Sequence, residues 1–319
     1  MKLLKEIGGF LELELNNGVE YHPNAIALNT GRNSFEYILR VRRFNNVYLP
    51  LFTCDAMIEP LKKLRIAFTF YDIDESLNPI FDYENIRDNE AFVYINYFGL
   101  KDKEVLKISK LCQNLVIDNS QAFFSKPLKG IDTFYSTRKF FGVADGGYLY
   151  SDKSIGEHKR DKSYERMIHL LGRKDENAEN FYLKFQENEK ELSEQPIKFM
   201  SLLTRDILKN INYLEVAQRR RLNYNYLAER LDKSNLLNLE LDKEAIPLIY
   251  PLLLRGGRTI KQKLIKNKIF VPTYWPNVIK WSKKESFEYS LTENLVCLPI
   301  DQRYDVKEME IICNMIINE

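Results

Sequence analysis

Three short apolar runs in the first half of the chain predict buried β-strands. They are residues 46–51 (NVYLPL), 91–97 (AFVYINY) and 115–118 (LVID). Between the first two, residues 55–64 carry apolar side chains at helical spacing, namely Met57, Ile58, Leu61 and Leu64. Alternating strands and helices are typical of a mainly parallel sheet with helices on both faces. In such sheets ligands bind beyond the carboxyl ends of the strands, so functional residues are expected at that edge.

The second half of the chain has a different pattern. Residues 157–195 are polar and charged, and we expect helix and loop there. A helix is predicted over 212–231, followed by strands at 247–254 and 295–299 with a helix at 261–268 between them. The sequence therefore predicts an α/β fold with a large domain, residues 1–235, and a smaller carboxy-terminal α/β domain, residues 236–319.

The composition argues against several classes of protein. The 47 Lys and Arg residues nearly balance the 45 Asp and Glu residues, so no net field favours nucleic acid or a membrane as partner. The four cysteines form no Cys-x-x-Cys pair and only three histidines occur, so no metal site is expected. No apolar stretch approaches the roughly 20 residues that span a bilayer. Lys2 and Lys5 are followed by a mixed polar segment rather than a secretory signal, and we expect a cytoplasmic protein.

Asp118 stands at the end of a predicted buried strand, in the sequence V-I-D-N-S-Q-A. A carboxylate there is unfavourable unless a cation or hydrogen-bond donors accompany it. A protonated pyridine nitrogen is one such partner. The alternative is that Asp118 caps the following turn, which is a common use of aspartate.

Lys139 lies in the strongly aromatic segment D-T-F-Y-S-T-R-K-F-F-G. Desolvation lowers the pKa of a lysine, and the neutral amine is the form that condenses with an aldehyde. Ser136 and Thr137, just before it, offer hydroxyls that could reach a phosphate. The alternative is a surface lysine whose alkyl chain covers its aromatic neighbours.

A third candidate element is the segment L-N-T-G-R-N-S-F-E-Y-I-L near the start of the chain. Gly31 precedes a predicted helix that Asn33 or Ser34 could cap. A glycine turn before a helix presents free N–H groups and the positive end of the helix dipole to a phosphate. The alternative is an ordinary capped helix. Neither GxxxxGK[ST] nor GxGxxG occurs, which disfavours a nucleotide-type phosphate loop.

In this order and spacing the three elements resemble the DegT/StrS-type aminotransferases, which have the fold-type-I architecture of pyridoxal-phosphate enzymes. That family shows a Gly-[Thr/Ser]-x-Ala helix start, a P-x-x-T segment, Asp-Ala-Ala-[Gln/His]-Ala, and a lysine shortly before Gly-[Glu/Asp]-Gly-Gly. The corresponding segments here are G-R-N-S from Gly31, P-L-F-T-C from Pro50, D-N-S-Q-A from Asp118, and Lys139 before D-G-G. The resemblance covers residues 25–150, and F-V-P-T-Y-W-P and C-L-P-I-D-Q-R-Y in the tail resemble segments of the family's small domain.

The resemblance implies pyridoxal 5'-phosphate (PLP) as cofactor and assigns the residues around its ring. Lys139 would form the Schiff base and later move the α-proton, while Asp118 would pair with the ring nitrogen. Gln121 would donate to the phenolic oxygen, and Ser120 would lie near one ring face. Cys54 falls where many relatives place an aromatic residue against the ring, so another side chain is expected to stack there.

The same resemblance assigns the cofactor phosphate to the turn at Gly31. The backbone N–H groups of Arg32 and Asn33 would hold the phosphate together with the Ser136 hydroxyl. Arg32 replaces a small hydroxyl residue of the family pattern and would add a charge. The Gly-Tyr-Asn-x-Arg segment of the family has no clear counterpart after Lys139.

The implied activity is transamination, from an amino acid such as glutamate to a nucleotide-linked keto-sugar, in a pathway such as polysaccharide biosynthesis. A homodimer is expected by resemblance. The alternatives are another PLP-dependent reaction on a sugar, such as dehydration or C–C cleavage, and a catalytically silent binding protein. Lys139 argues against dehydration, because dehydratase relatives commonly carry histidine there. Arg138, Arg205 and Arg303 are candidates for carboxylate or phosphate recognition, although an ordinary surface or ion-pair arginine is the favoured alternative for each.

Overall fold

One sheet of eight strands dominates this computed structural model, which describes residues 7–317. Lys2 and Lys5, on which the prediction of no leader rests, lie outside that range. The strand order is β1-β8-β7-β6-β5-β2-β3-β4. The strands are β1 (Ile26–Leu28), β2 (Asn46–Pro50), β3 (Ala67–Ile73), β4 (Pro79–Ile80), β5 (Glu90–Ile95), β6 (Leu115–Asp118), β7 (Asp132–Ser136) and β8 (Gly147–Tyr150).

The centre of this sheet is parallel, as the sequence predicted. β3, β2, β5, β6 and β7 run in one direction, whereas β8 is antiparallel to both β7 and β1. β1 therefore points the same way as β7, and its carboxyl end lies at the same edge. The three predicted strands are confirmed as β2, β5 and β6, with ends that differ by one or two residues.

Helices connect and cover the strands in the described chain. The predicted helical segment 55–64 is a 3₁₀ turn followed by a helix, and 157–195 contains two helices joined by loops. The first seven helices are α1 (Gly31–Arg42), α2 (Ile58–Leu64), α3 (Asp102–Ile108), α4 (Ile168–Asp175), α5 (Tyr182–Leu192), α6 (Leu202–Lys209) and α7 (Tyr213–Leu231). None of the helices within residues 7–317 has both the length and the apolar character needed to cross a bilayer.

The carboxy-terminal part forms a second, smaller α/β layer. Its strands β9 (Ile249–Leu253) and β10 (Leu295–Pro299) pair antiparallel. Its helices are α8 (Gly257–Lys266), α9 (Val278–Trp281), α10 (Phe287–Asn294) and α11 (Val306–Ile317). α7 packs against both α11 and β9. We retain the division at residue 235 as a proposal.

Apolar side chains on the two faces of the large sheet form two clusters. One contains Phe35, Ile38 and Phe134 and lies under α1 and α2. The other contains Phe123 and Phe140 and continues into the carboxy-terminal layer through Tyr250 and neighbouring residues. Because burial of apolar surface is the main driving force for folding, this continuity fixes the carboxy-terminal layer against the carboxyl edge of the sheet.

Two successive glycines bring the Lys139 segment and the start of α1 together. Gly146 has φ +124° and lies so close to the Thr137 hydroxyl that a Cβ would overlap it. A Cβ on Gly147 would lie 2.6 Å from the carbonyl carbon of Thr30 and 2.7 Å from the nitrogen of Gly31. Only glycine therefore allows β8 to pass this close to the turn that begins α1.

Gly147→Ala should destabilise the fold by about 1–3 kcal/mol, because the added methyl group meets backbone atoms that cannot move independently. Urea unfolding followed by circular dichroism would measure the loss. Gly142→Ala is the matched control, since a Cβ there makes only an ordinary 3.7 Å contact with Leu170. Equal stability of the two variants would contradict the close packing of β8 on the α1 turn.

Candidate active site

The carboxyl edge of the large sheet collects the residues that the sequence singled out. Asp118 is the last residue of β6, and Lys139 ends a 3₁₀ turn that directly follows the neighbouring strand β7. Gly31 begins α1 just after β1, and Cys54 follows β2. The parallel topology thus places four segments that are distant in sequence side by side.

Asp118 is a buried carboxylate, 5% exposed, with one neighbouring residue as its donor. Its Oδ1 accepts the backbone N–H of Ser120 at 2.7 Å. Burial raises the pKa of Asp118 to about 6, although the Ser120 hydrogen bonds and the charge of Lys139 oppose the shift. Asp118 also begins a turn through Ser120, which confirms that it caps this turn, while its pairing with a ring nitrogen stays a prediction.

Lys139 projects into a cleft and is reached by solvent through it. Its Nζ lies 5.2 Å from the ring centroid of Tyr274. Burial lowers the pKa of the Lys139 amine, with the nearby Arg138 charge acting in the same direction and Cys54 and Asp118 against it. The amine is therefore easier to deprotonate than an ordinary lysine.

The apolar setting of Lys139 comes partly from residues that the sequence did not indicate. Phe134 packs with Phe35 in the cluster under α1, so it does not surround the amine as predicted. Tyr274 and Cys297, both from the carboxy-terminal layer, lie close enough to interact with it instead. The tail segment that contains Tyr274 resembled the family's small domain, and this was the only signal that could have found it.

A cradle of backbone and hydroxyl groups surrounds Gly31. A Cβ on Gly31 would lie 3.3 Å from Ser120 Oγ and 3.6 Å from Ser136 Cβ, so its absence leaves a space between these serines. Within residues 7–317, the N–H groups of Gly31 and Arg32 have no acceptor. Ser120 therefore contacts both sides of the site: its Oγ lies at this cradle, and its N–H donates to Asp118.

The predicted caps of α1 were wrong. Thr30 is the N-cap, and its Oγ1 accepts the backbone N–H of Asn33 at 2.9 Å. The Asn33 amide donates to Asn29 and to the carbonyl oxygens of Gln195 and Pro196. Threonine is the cap because the N-cap residue lies directly before the helix, and its side chain accepts the N–H of the third helical residue. The donors of Asn33 are thus engaged within the protein.

Two other hydroxyls differ in their availability. Thr137 Oγ1 lies within hydrogen-bonding distance of the carbonyl oxygens of Asp145 and Gly146, so it ties its own turn together. Thr53, which precedes Cys54, has a buried hydroxyl without a partner in the described chain. Ser136, whose Cβ would lie 3.6 Å from a Cβ on Gly31, is therefore better placed than Thr137 to reach the cradle.

Gln121 is held with one end of its amide fixed. Its Oε1 accepts the backbone N–H of Phe98 at 2.9 Å. Its Nε2 is buried and has no acceptor among the described residues. A buried unpaired donor costs about 1–3 kcal/mol, so this group is arranged for a partner that comes from outside the chain.

Cys54 is half-buried, and its Sγ contacts Asp55 Oδ1 at 3.4 Å. Burial raises the pKa of the Cys54 thiol while the charge of Lys139 lowers it, which places this thiol close to the amine. Tyr274 interacts with both Cys54 and Lys139, so an aromatic ring is present where Cys54 supplies none.

Of the three arginines considered from the sequence, Arg205 and Arg303 form ion pairs with carboxylates, and Arg303 lines the same cleft as Lys139 together with its partner. Arg205 pairs with Glu20 at 2.7 Å, and Arg303 pairs with Asp301 at 2.6 Å. Arg138 lines the same cleft as Lys139, and its Nε is buried without a partner in the described chain.

The cleft that contains Lys139 has a volume of 900 Å³. Its walls come from the Lys139 segment, from α4 and α5, and from the carboxy-terminal layer. Aromatic side chains predominate in them, namely Phe140, Phe141, Phe181, Tyr182, Phe185 and Phe270. A space of this size accepts a ligand of cofactor or nucleotide dimensions.

Comparison with known proteins identifies the fold. No family model matches the sequence. One curated protein, a leucine–tRNA ligase of Wigglesworthia glossinidia brevipalpis, is 26% identical over 281 residues, which are 82% of this chain. The chain spans only 31% of that ligase, and the identity is too low to establish a family.

Solved structures give a more extensive match. The sugar aminotransferase CalS13 of Micromonospora echinospora is 16% identical, with a TM-score of 0.62 over 93% of this chain and 87% of its own. A DegT/DnrJ/EryC1/StrS aminotransferase of Brucella abortus is 15% identical, with a TM-score of 0.61 over 92% of this chain and 85% of its own. NtdA of Bacillus subtilis, solved with bound cofactor PMP, is 14% identical, with a TM-score of 0.65 over 92% of this chain and 72% of its own. The predicted α/β architecture is thus confirmed, and the chain has the fold of the DegT/DnrJ/EryC1/StrS aminotransferases.

Proposed function

We propose that this protein is a PLP-dependent aminotransferase that moves an amino group from an amino acid to a nucleotide-linked keto-sugar. Glutamate is the expected donor. The observation that carries the proposal is the buried Asp118 carboxylate beside the Lys139 amine at the carboxyl edge of the sheet. The fold shared with sugar aminotransferases supports it.

The residues at this edge fit PLP on three independent grounds. The space that Gly31 leaves between Ser120 and Ser136 suits a phosphate, with the N–H groups of Gly31 and Arg32 directed at it. The unpaired Gln121 Nε2 suits the phenolic oxygen of the ring. Asp118 supplies a buried negative charge for a protonated ring nitrogen.

When bound, PLP supplies an electron-withdrawing ring that stabilises negative charge at the carbon that loses a proton. Asp118 would pair with a protonated ring nitrogen, because its pKa of about 6 leaves it ionised at neutral pH. Lys139, whose pKa is lowered by burial, is the group that accepts a proton at Nζ and returns it. The amine is reached through the cleft, whose walls are mainly aromatic.

The acceptor proposal rests on the size and composition of the cleft. At 900 Å³ it exceeds what a small amino acid fills. Its rings can stack on a base or a sugar face. The nucleotide link, a pathway such as polysaccharide biosynthesis, a homodimer and a cytoplasmic location are retained as parts of the proposal. We do not transfer the ligase activity of the curated protein, because the aminotransferase fold accounts for 92% of the chain.

Asp118→Asn should stabilise the PLP-free protein at neutral pH and weaken PLP binding. The raised pKa, from 3.8 to about 6, means that the folded state holds the Asp118 proton more tightly than the unfolded chain. The stability that the folded state gains from holding this proton is fully present below pH 3.8 and is lost as the pH rises through about 6. Its full size is about 3 kcal/mol.

The measurement is urea unfolding of the wild type and Asp118→Asn over a pH series. The variant should be the more stable above about pH 6 and should lose its advantage near pH 4. PLP affinity from the visible absorption band should fall in the same variant. A constant difference in stability at every pH would contradict the burial of an ionisable Asp118.

Borohydride reduction of the PLP-loaded protein should place a pyridoxyl group on Lys139. Peptide mapping by mass spectrometry identifies the labelled residue. Lys261 is the internal control, because burial lowers its pKa as well, yet its Nζ donates to the Thr292 carbonyl. Label on Lys261, or spread over surface lysines, would count against the assignment of Lys139.

The visible absorption of the purified protein should respond to substrates in two separate steps. A band above about 400 nm, expected for PLP on a lysine, should disappear when glutamate is added and return with a keto-sugar acceptor. Mass spectrometry of the acceptor product should show a new amine, which sugar dehydration and C–C cleavage do not produce. If no amino acid changes the band, transamination is wrong even where PLP binds.

A further inference from the structure

A group of cationic and polar side chains lies near Lys139, and of these only Arg32 was assigned to the cofactor phosphate. It consists of Arg32, Arg138, Arg166 and His169, which we call the arginine cluster. The charges of Arg32 and Arg166 both act on Arg138, and that of Arg138 acts on His169, so the members lie within electrostatic range of one another. Each carries a buried nitrogen without a partner in the described chain: Nε of the three arginines and Nδ1 of His169.

Two members of the arginine cluster are paired with carboxylates. Arg166 pairs with Asp161 at 2.7 Å, where both side chains are at most 10% exposed. Arg32 pairs with Glu59 at 3.0 Å and donates to the Leu192 carbonyl. These two guanidinium groups are therefore committed to the fold.

Arg138 differs from Arg32 and Arg166 because the carboxylate with which it pairs is more exposed to solvent. It pairs with Glu189 of α5, whose side chain is 45% exposed, while that of Arg138 is 18% exposed. Ion pairs with solvent-exposed carboxylates contribute little, typically about 0–1 kcal/mol. Burial lowers the pKa of the Arg138 guanidinium to about 10, with the charges of Arg32 and Arg166 acting in the same direction and that of Asp145 against it. Glu189 is thus a weak, exchangeable partner on a cation that lines the reaction cleft.

The position of Arg138 defines which anion it can serve. It is adjacent to Lys139 in the chain, and both side chains line the same cleft. In an amino acid the carboxylate and the amine share one carbon, so a donor whose amine reaches the Lys139 position carries its carboxylate into the neighbouring space. A guanidinium fork matches a carboxylate with two parallel hydrogen bonds.

We propose that Arg138, supported by His169, binds the α-carboxylate of the amino donor, and that Glu189 of α5 occupies this subsite until the donor displaces it. The proposal rests on the aminotransferase function proposed above and adds to it the donor-recognition residue and a competing internal carboxylate. No bond is made or broken in this exchange; one carboxylate replaces another on the same guanidinium.

The test uses glutarate, a dicarboxylate without an amine, which can occupy the subsite but cannot react. Calorimetric titration of the PLP-loaded protein with glutarate measures the dissociation constant of glutarate. Arg138→Gln should weaken glutarate binding at least about tenfold, as expected for loss of charged hydrogen bonds. Arg138→Lys, which keeps the charge but not the fork, should fall between wild type and Arg138→Gln.

The opposite effect is expected at the competing carboxylate. Glu189→Gln should tighten glutarate binding about threefold or more, because an exposed ion pair of up to about 1 kcal/mol no longer competes. Glu187→Gln is its matched control, since Glu187 lies on the same helix and pairs with Lys184 at 2.8 Å. Arg173→Gln controls for the general positive field of the cleft, which Arg173 also lines. Both controls should stay within about twofold of wild type.

Two results would overturn the proposal: glutarate binding that survives Arg138→Gln, or equal effects of Glu189→Gln and Glu187→Gln. A parallel titration with UDP separates carboxylate from diphosphate recognition. If the Arg138 and Glu189 variants change UDP binding and leave glutarate binding unchanged, the donor assignment is wrong.

Failure of the proposed function gives a different result. In that case the wild type shows no visible PLP band, and the titrations are repeated with saturating inorganic phosphate to fill the Gly31 cradle. Glutarate binding that still depends on Arg138 would then establish a carboxylate subsite without an aminotransferase.

Discussion

The candidate site depends on placing a buried carboxylate close to an amine at the ends of two adjacent parallel strands. Asp118 ends β6 and Lys139 follows β7, and these strands are held in register by Asp118 pairing with Phe134. Burial raises the pKa of the acid and lowers that of the amine, while each charge favours the other. Neither shift would exist in a loop exposed to solvent, because both arise from the low polarity of the sheet edge.

This arrangement buries polar groups that a bound ligand would stabilise. Asp118 has only Ser120 as donor, and Gln121 Nε2 has no acceptor in the described chain. Such groups are held in place by the rest of the fold: Phe98 fixes the other end of the Gln121 amide, and Gly147 fixes the α1 turn against β8. The rest of the fold thus holds buried polar groups in place without their full set of hydrogen bonds, as is usual in a preorganised binding site.

The sequence was informative where local patterns alone determine structure. The apolar runs of β2, β5 and β6 are uninterrupted because both of their faces are buried, and they were found for that reason. β3, in contrast, alternates between buried and exposed residues, and β7 is followed by the aromatic Lys139 segment, so neither stood out. The motif around Asp118 and Lys139 could be recognised because its residue types and spacing are fixed by one cofactor.

The features that the sequence did not predict depend on where a helix begins or on contacts between distant parts of the chain. Thr30 was missed as the cap of α1 because Asn33 and Ser34 are equally good capping residues by type, and only the position of the first helical residue decides among them. Tyr274 reaches Lys139 only because the carboxy-terminal layer shares one apolar cluster with the large sheet.

The carboxy-terminal layer is consequently part of the site rather than an addition to it. Arg220, which is 1% exposed, donates to the carbonyls of Pro247 and Leu248 at the start of β9 and to Gln302 beyond β10. Gln302 in turn donates to the carbonyl of Phe140 at 2.9 Å, and the Arg220 guanidinium lies 4.6 Å from the Phe140 ring. A chain of hydrogen bonds therefore runs from this layer to the residue next to Lys139. The direction in which Lys139 points is set from both parts of the protein, so a shift of the carboxy-terminal layer would change the amine and the cleft together.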